Sequence, residues 1–260
     1  MKTSHDDLGD RMKMYEGIET ERMLIPRLPI YARLDGKCFS KLSRNMQRPF
    51  CDRFSRMMID TTKYLVEETH AIIGYTQSDE ISLCWHFPEP KSEPLFGGKF
   101  QKLHSILAGM ASAKFTDLIK YPAVFDCRIF NLPTLDECAN AFLWRELDAT
   151  KNAISMAASC YFSPKQLHGK DGKEKQEMLF QGHAINFNDY PAFFKRGTFV
   201  RRVNEERELT AEELARIPEK HRPTGKIMRS KIVEVPMPKF VTVANRVGVI
   251  FHGEEPNVAA

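Results

Sequence analysis

Two aspartates, Asp35 and Asp79, have the residue type and the spacing of a two-metal phosphoryl-transfer site. Asp35 follows a short β-prone segment, residues 30–34, and Asp79 lies in the connection between two others, residues 71–75 and 81–85. Two carboxylates at one edge of a sheet can hold divalent ions roughly 3.5 to 4 Å apart, which stabilises the attacking and leaving oxygens. Two Mg²⁺ ions are expected, because Mg²⁺ prefers oxygen ligands, and the carbonyl of Gly36 could supply one more.

The same residues also have a purely structural explanation. Asp35-Gly36 is a common turn dipeptide, and Ser78-Asp79-Glu80 is ordinary hairpin-loop composition. The side chain of Glu80 should point away from that of Asp79 if the segment is extended. We therefore expect Asp35 and Asp79 to be catalytic, and Glu80 to be either a third catalytic acid or a structural residue of the loop.

Hydrophobic periodicity predicts the elements that position these acids. Apolar residues recur at helical spacing between positions 50 and 65 and again between 100 and 111, and residues 124–130 form a further β-prone segment. The resulting order is β-α-β-β-α-β, the split βαβ arrangement of ferredoxin-like folds. Its first and third strands are neighbours, so Asp35 and Asp79 should converge. The predicted fold class is α+β, with an antiparallel sheet covered by helices on one face.

The remaining half of the chain is predicted to be helical and loop-rich, and its C-terminal third is predicted to have few strands. We place a boundary near Pro133, giving a catalytic domain at residues 1–133 and a C-terminal region at residues 134–260 that packs on it. Residues 195–246 contain 13 Lys or Arg against seven Glu. This excess indicates a polyanionic partner such as RNA, with a solvated charged face as the alternative.

Composition excludes several classes of protein. The chain has 260 residues, 42% of them hydrophobic, and a formal charge of +4. No apolar run is long enough to cross a membrane, and the first residues lack the apolar stretch of a signal peptide. The six cysteines include no Cys-x-x-Cys pair. We expect a cytoplasmic protein with reduced cysteines and no zinc site of that kind.

Two sequence motifs are specific enough to suggest a family. Residues 33–39 and 75–82 resemble the metal and nucleotide motifs of the tRNA-histidine guanylyltransferase superfamily, whose members extend RNA in the 3′-to-5′ direction. Further matches in order and spacing occur at residues 8–16, 97–103, 144–148, 174–179 and 195–198. The family has a polymerase-type palm, which is the ferredoxin-like arrangement that the periodicity predicts.

The resemblance implies roles for individual residues. Two Mg²⁺ ions would be bound by Asp35, Gly36 and Asp79. The incoming nucleotide, ATP or GTP, would be held by Asp35, Gly36, Lys37, Cys38, Phe39, Ser40, Ser78 and Asp79. A triphosphate or the RNA 5′ end would contact Lys99, Lys102, Arg145, Asn152 and Lys175, and tRNA would contact Lys195, Arg196, Arg201 and Arg202. A homotetramer is also implied.

Several of these residues have structural alternatives. The resemblance places Phe39 near the nucleotide base, but Phe39 could instead be a core aromatic behind the strand end, and Lys37 could be solvated in a loop. Lys99 and Lys102 precede or begin a predicted helix, where free N–H groups favour anions, but lysines there are often merely solvated. The spacing of Arg145, Asp148 and Asn152 makes one polar stripe on a helix, which could face either substrate or solvent.

One departure from the family pattern bears on specificity. Members dedicated to histidine tRNA carry a His-Ile-Asn-Asn-Leu-Tyr-Asn run where this sequence has residues 150–156, and only Asn152 is retained. Residues 148–152 instead resemble the guanylyltransferase-like branch, which is associated with template-directed repair of tRNA 5′ ends. We expect a repair polymerase, with dedicated addition of a single G to histidine tRNA as the alternative.

Two other classes of protein fit part of the pattern. A palm-type nucleotide cyclase also needs paired acids, but residues 76–80 lack the glycine of its hairpin. A non-catalytic RNA-binding module would explain the basic residues, although it would not need Asp35 and Asp79.

Overall fold

A computed structural model describes residues 7–258, so the first residues, considered above for a signal peptide, lie outside it. The helices are α1 (Asp7–Thr20), α2 (Phe39–Leu42), α3 (Asp52–Thr69), α4 (Phe100–Ile119), α5 (Leu135–Ser159), α6 (Pro164–Leu167), α7 (Gly172–His183), α8 (Ala192–Arg196) and α9 (Ala211–Ala215). The strands are β1 (Ile30–Gly36), β2 (Ile73–Gln77), β3 (Glu80–Trp85), β4 (Phe125–Asn131), β5 (Thr198–Arg207) and β6 (Ile227–Val235). None of the described helices combines the length and apolar composition that a bilayer span requires.

The strands form one antiparallel sheet in the order β4-β1-β3-β2-β5-β6. Its first four members have the strand order of a ferredoxin-like fold, which confirms the predicted class. The expectation of few strands in the C-terminal third is wrong, because β5 and β6 extend the sheet beyond β2. Their charged residues, including Arg201, Arg202 and Glu205, hid the alternation of a strand.

Helices α3 and α4 cover one face of the sheet, as predicted. Leu65 of α3 and Leu107 of α4 are buried there against Leu34 and Ile81. The helical spacing of these apolar residues produces the buried face of each helix. Helix α3 ends at Thr69, and the next residue, His70, adopts a left-handed φ of 53°.

The second face is also covered, which the sequence did not predict. Thr134 begins α5 by accepting a hydrogen bond from the Glu137 N–H at 3.1 Å. From there α5 buries Phe142 against Tyr31, with the two ring centres 5.1 Å apart. Phe240 and Val249 belong to the C-terminal segment, residues 236–258, and complete this core. Both faces of β2 and β3 are therefore buried.

Candidate active site

The end of β1 and the β2–β3 hairpin bring Asp35 and Asp79 together. Asp35 is paired with Glu80 on β3 and with Asp126 on β4. The N–H of the next residue, Gly36, donates a hydrogen bond to the carbonyl of Asp79 at 3.1 Å. Backbone pairing at the centre of the sheet thus places both carboxylates at one edge.

The hairpin connection is shorter than the sequence predicted. Strand β2 continues through Thr76 and Gln77, and only Ser78 and Asp79 form the turn. Thr76 donates its hydroxyl to the Glu80 carbonyl at 2.9 Å, which closes the end of the ladder. Ser78 has a φ of 49°, the left-handed conformation that short hairpin turns demand. Ser78 is exposed and Asp79 is half-buried at this tip.

Gly36 has no room for a side chain, and the reason is Phe39. A Cβ atom on Gly36 would lie 1.7 Å from Cδ2 of the Phe39 ring. That ring is 3% exposed and packs on Phe115 and Phe125 at 5.1 and 5.0 Å between centres. The expectation that the Phe39 side chain lies beside a nucleotide base is therefore wrong, because the ring fills the core behind the strand end.

The loop after β1 keeps its other predicted nucleotide contacts accessible. Lys37, Cys38 and Ser40 are exposed, and the Lys37 N–H donates to the Val124 carbonyl at 2.8 Å. Cys38 adopts a left-handed φ of 61° and turns the chain into α2. These residues therefore border the Asp35 edge without being buried in it.

The electrostatics of the acid pair favour a cation. Burial raises the pKa of Asp35 above its usual range, the nearby Asp126 raises it further, and Arg128, Arg33 and Arg145 oppose the rise. Burial also raises the pKa of Asp79, and the charge of Asp35 adds to this effect. A divalent ion between the two carboxylates would lower the free-energy cost of ionising each of them.

The donor set at this edge suits Mg²⁺ bound together with phosphate. Within residues 7–258 no group of three or more His, Cys, Asp and Glu side chains converges on a potential metal site. Asp35, Asp79 and the Gly36 carbonyl supply hard oxygens only. Mg²⁺ commonly binds with one or two carboxylates, its own waters and substrate phosphates, so these residues fit it.

Glu80 faces a buried arginine. Its Oε1 accepts a hydrogen bond from Nε of Arg145 at 2.7 Å, and Nε of Arg33 lies 3.8 Å from Oε2. Arg145 also donates to Asp148 at 2.8 Å. Glu80 and Arg145 are both buried. The expectation that Arg145 offers its charge to a triphosphate is wrong for this arrangement, since two protein carboxylates already engage the guanidinium.

The rest of the polar stripe continues along α5. Asn152 is exposed and donates to Asp148 at 3.2 Å. Lys175 of α7 donates to the Ser155 hydroxyl at 3.1 Å. The hydrogen bonds confirm that Arg145, Asp148 and Asn152 share one helix face, with its accessible end at Asn152.

Lys99 and Lys102 lie at the other end of the sheet. Leu103, their neighbour on α4, lines a small cavity with Ile30, the first residue of β1. Asp35 is five residues further along this strand, roughly 17 Å at about 3.4 Å per residue. Both lysines are exposed in a groove of about 920 Å³ that also includes Lys13 of α1. Within a single chain, Lys99 and Lys102 therefore lie too far from Asp35 to contact the same phosphate.

Arg201 and Arg202, which were predicted to contact RNA, both make hydrogen bonds within the protein. Arg201 is 8% exposed and donates to the carbonyls of Val249 and Ile250 at 2.5 and 3.1 Å. Arg202 donates to the Ser230 hydroxyl at 2.9 Å and to the Glu67 carbonyl at 2.8 Å. Arg201 is buried in the fold, so the expectation that it binds RNA is wrong, whereas Arg202 is only half-buried and its contact with RNA stays a prediction.

Lys195 and Arg196 are half-buried near the start of β5. Lys195 donates from Nζ to the Asn188 carbonyl, and burial lowers its pKa. The carbonyl of Arg196 accepts the Tyr75 hydroxyl at 2.7 Å. These contacts fix the backbone of α8 against the sheet.

Exposed cations instead gather where β5 and β6 project beyond β2. Only residues 198–201 of β5 pair with β2, whereas β5 pairs with β6 as far as Arg207. We call residues 216–231, near the end of this projection, the basic tip. They contain six Lys or Arg against one Glu, and all six are exposed: Arg216, Lys220, Arg222, Lys226, Arg229 and Lys231. The excess of Lys and Arg in residues 195–246 indicated a polyanionic partner, but it did not indicate which of these side chains are exposed to contact it.

Arg33 and Asp126 also border the acid pair, and sequence reasoning missed both. Arg33 precedes Asp35 by two positions on β1, so it shares the same face of the sheet. Asp126 is directly opposite Asp35 on β4. The period of two along β1 could have identified Arg33, whereas Asp126 required the register.

Comparison with known proteins gives a consistent result across the chain. A family model described as tRNAHis guanylyltransferase matches residues 9–133, and one described as the Thg1 C terminal domain matches residues 140–237. A solved bacterial tRNA(His) guanylyltransferase (Thg1)-like protein in complex with ATP is 38% identical, with a TM-score of 0.72 over 75% of this chain and 88% of that one.

This chain belongs to the tRNA-histidine guanylyltransferase superfamily. A bacterial Thg1-like protein in complex with GTP is 32% identical, with a TM-score of 0.73, and covers 91% of this chain and 94% of that one. The tRNA(His) guanylyltransferase of Saccharomyces cerevisiae is 28% identical over 212 residues, which are 72% of this chain and 88% of the yeast protein. Membership in the guanylyltransferase superfamily makes this protein a nucleotidyltransferase.

Proposed function

We propose that this protein adds nucleotides to the 5′ end of tRNA in the 3′-to-5′ direction, directed by a template strand. The observation that carries the proposal is the convergence of Asp35 and Asp79, fixed by the hydrogen bond from Gly36 to the Asp79 carbonyl. The relatives of this protein include Thg1-like proteins whose structures contain ATP or GTP, which supports these nucleotides as substrates.

The proposed reaction needs no covalent protein nucleophile. A 5′-monophosphate RNA end attacks the α-phosphorus of ATP and displaces pyrophosphate, which leaves an adenylylated 5′ end. The 3′-hydroxyl of an incoming nucleoside triphosphate then attacks this end and displaces AMP. A 5′-triphosphate RNA would skip the first step and release pyrophosphate in the second. Each step depends on alignment and charge neutralisation.

The residues around the acid pair have distinct parts in this scheme. Asp35, Asp79 and the Gly36 carbonyl would hold two Mg²⁺ ions, which when bound neutralise phosphate charge and align the reacting oxygens. The exposed loop with Lys37 and Ser40 would contact the nucleotide. Glu80 would position the hairpin through its ion pair with Arg145 and would not bind metal.

Repair is favoured over dedicated guanylate addition. Thr150 occupies the place where enzymes dedicated to histidine tRNA begin their characteristic run, and its hydroxyl donates to the Lys195 carbonyl at 2.9 Å. This contact packs α5 against α8. Among the solved structures, sequence identity is also higher to the two Thg1-like proteins, 38% and 32%, than to the yeast guanylyltransferase, 26%.

We assign tRNA contact to the C-terminal region, residues 134–260, and above all to the basic tip. The palm would then correspond to residues 1–133, with β5 and β6 added to its sheet.

The resemblance also implies a homotetramer. Exposed apolar residues on α1, among them Leu8, Met12, Tyr15 and Ile18, fit burial between copies. Sedimentation of the purified protein tests this assembly.

Metal-dependent labelling of RNA tests the proposed reaction. Labelled nucleotide should be incorporated at the 5′ end of a truncated non-histidine tRNA, and extension should slow once the acceptor stem is fully paired. Efficient addition of one G to intact histidine tRNA, without extension of the truncated substrate, would instead establish the dedicated enzyme. A protein that binds both RNAs without incorporation would be an RNA-binding module.

Replacing either acid tests the site itself. Asp35→Asn and Asp79→Asn should each abolish incorporation while leaving the melting temperature without Mg²⁺ unchanged or higher, because each removes a buried charge and its like-charge repulsion. Asp117→Asn, at an exposed position on α4, is the matched control and should retain activity. Normal incorporation by Asp35→Asn or Asp79→Asn would refute the two-metal assignment.

A further inference from the structure

An exposed tryptophan stands beside the proposed active site. Trp144 of α5 is 53% exposed, whereas Trp85, the other tryptophan of the sequence, is 3% exposed. An indole this exposed is not enclosed by protein on all sides, so a planar partner can reach it. Large aromatic side chains left accessible next to a site are typical of surfaces that stack on a ligand.

Two arginines hold Trp144 in relation to the acid pair. The guanidinium carbon of Arg145 lies 4.4 Å from the ring centre, and that of Arg33 lies 5.2 Å from it. Both arginines approach the carboxylate of Glu80, which is directly opposite Asp35 in the sheet. The ion pairs that organise this edge therefore also fix the indole.

Proximity to Asp35 follows from the same contacts. Arg33 precedes Asp35 by two residues on one face of β1, a separation of about 7 Å along the strand. The charges of Arg33 and Arg145 both act on the Asp35 carboxylate. A group stacked on Trp144 would thus lie beside Arg33, on the face of β1 that carries Asp35.

We propose that Trp144 stacks on an unpaired nucleobase of the substrate. The base belongs either to the nucleoside triphosphate or to the RNA next to its reacting end, and the chemistry of recognition is the same in both cases. An accessible aromatic surface next to a phosphoryl-transfer centre suits a planar base, because every base offers a face for stacking. The assignment rests on the proposed function, because that function places nucleotides at Asp35 and Asp79.

Fluorescence can report on this residue directly. Iodide should quench Trp144 and leave the buried Trp85 largely unaffected, so the quenchable signal belongs to Trp144. Three ligands are compared in the presence of Mg²⁺: ATP or GTP, a 5′-truncated tRNA, and inorganic tripolyphosphate, which has the charge without a base. Protection by the nucleotide or by the tRNA, but not by tripolyphosphate, is expected, and the protecting ligand identifies the source of the base.

Substitutions measure the contribution of the ring. Trp144→Leu should weaken binding of the protecting ligand by about 5- to 140-fold, the range expected for loss of one stacked base, and Trp144→Phe should fall between Leu and wild type. Phe180→Leu removes a similarly exposed ring from α7 and should leave the affinity unchanged. Thermal melts identify any variant that has lost its fold.

The outcomes separate this inference from the proposed function. The stacking inference is wrong, and the proposed function stands, if wild type incorporates nucleotide but two results are negative. These are that no ligand protects Trp144 from iodide, and that wild type, Trp144→Leu and Trp144→Phe bind the nucleotide and the tRNA with equal affinity. If wild type incorporates no nucleotide, the proposed function fails, and iodide protection together with the order of affinities still decides whether Trp144 stacks on a base.

Discussion

Replacing Glu146 with Gln should stabilise this protein at pH 8. Glu146 lies on α5 and is 3% exposed, and its Oε1 accepts a hydrogen bond from the Phe240 N–H at 2.8 Å. Burial raises the pKa of Glu146 from 4.5 to about 7, although the Phe240 N–H and the charge of Arg196 both favour the ionised form. The folded protein therefore retains a proton that the unfolded chain releases at lower pH.

The sign and size of the effect follow from proton linkage. Between pH 4.5 and about 7 the unfolded state binds fewer protons at this group, so the free energy of unfolding falls as pH rises and the cost is complete above about pH 7. A difference of about 2.5 pH units, at 1.36 kcal/mol each, corresponds to about 3 kcal/mol. Gln keeps an oxygen for the Phe240 N–H and carries no charge. The variant should gain up to about 3 kcal/mol at pH 8, or about 6 to 12 °C in melting temperature.

Urea unfolding at pH 4 and pH 8 measures this directly. Glu146→Gln should exceed wild type at pH 8 and approach it at pH 4. Glu137→Gln, at an exposed position on the same helix, should show no such divergence. Glu146→Leu should gain less, because it leaves the buried Phe240 N–H without its acceptor, at a cost of about 1 to 3 kcal/mol. A difference between Glu146→Gln and wild type that does not change with pH would refute the reasoning.

Two further predictions concern the buried ion pair and the basic tip. Arg145→Met should destabilise the protein by up to about 3 to 5 kcal/mol in urea unfolding, because the buried Glu80 carboxylate loses its hydrogen-bonded partner and keeps only the longer contact with Arg33, and adding Glu80→Leu should recover much of that loss. Equal stability of the single and double variants would contradict this role. Changing Lys220 and Lys226 to Ala should reduce the slope of log affinity for tRNA against log salt by about 1.8 if each contacts one duplex phosphate, whereas Arg201→Ala should mainly lower the melting temperature. An unchanged slope in the double Lys variant would exclude the tip as a phosphate contact.

The sequence was sufficient to predict the palm and the meeting of Asp35 with Asp79. Hydrophobic periodicity defines α3 and α4, and the split βαβ order makes β1 and β3 neighbours whatever their exact lengths. The length of the hairpin was not predictable in the same way, because Thr76 and Gln77 are polar and look like loop residues. They are buried strand residues here, and Thr76 bonds across the turn.

Charge patterns were a weaker guide than hydrophobic patterns. A count of Lys and Arg cannot distinguish Arg201, buried against the Val249 carbonyl, from Lys226, exposed on the basic tip. The difference depends on how the C-terminal segment folds back over the sheet, which is a long-range contact. Arg145 was misplaced for the same reason, since its partner Glu80 is 65 residues away.

The pairing of β2 with β5 has a consequence for how the chain folds as it is synthesised. Strand β2 ends at Gln77 and β5 begins at Thr198, about 120 residues later. At about 5 to 20 residues per second, the ribosome needs roughly 6 to 24 s to make the intervening chain. Until then the edge of β2 is open, and the apolar face around Tyr31 and Tyr75 lacks the C-terminal segment that covers it. The nascent amino-terminal half is therefore prone to aggregation during this interval. A fragment that stops at residue 133 should aggregate when expressed alone.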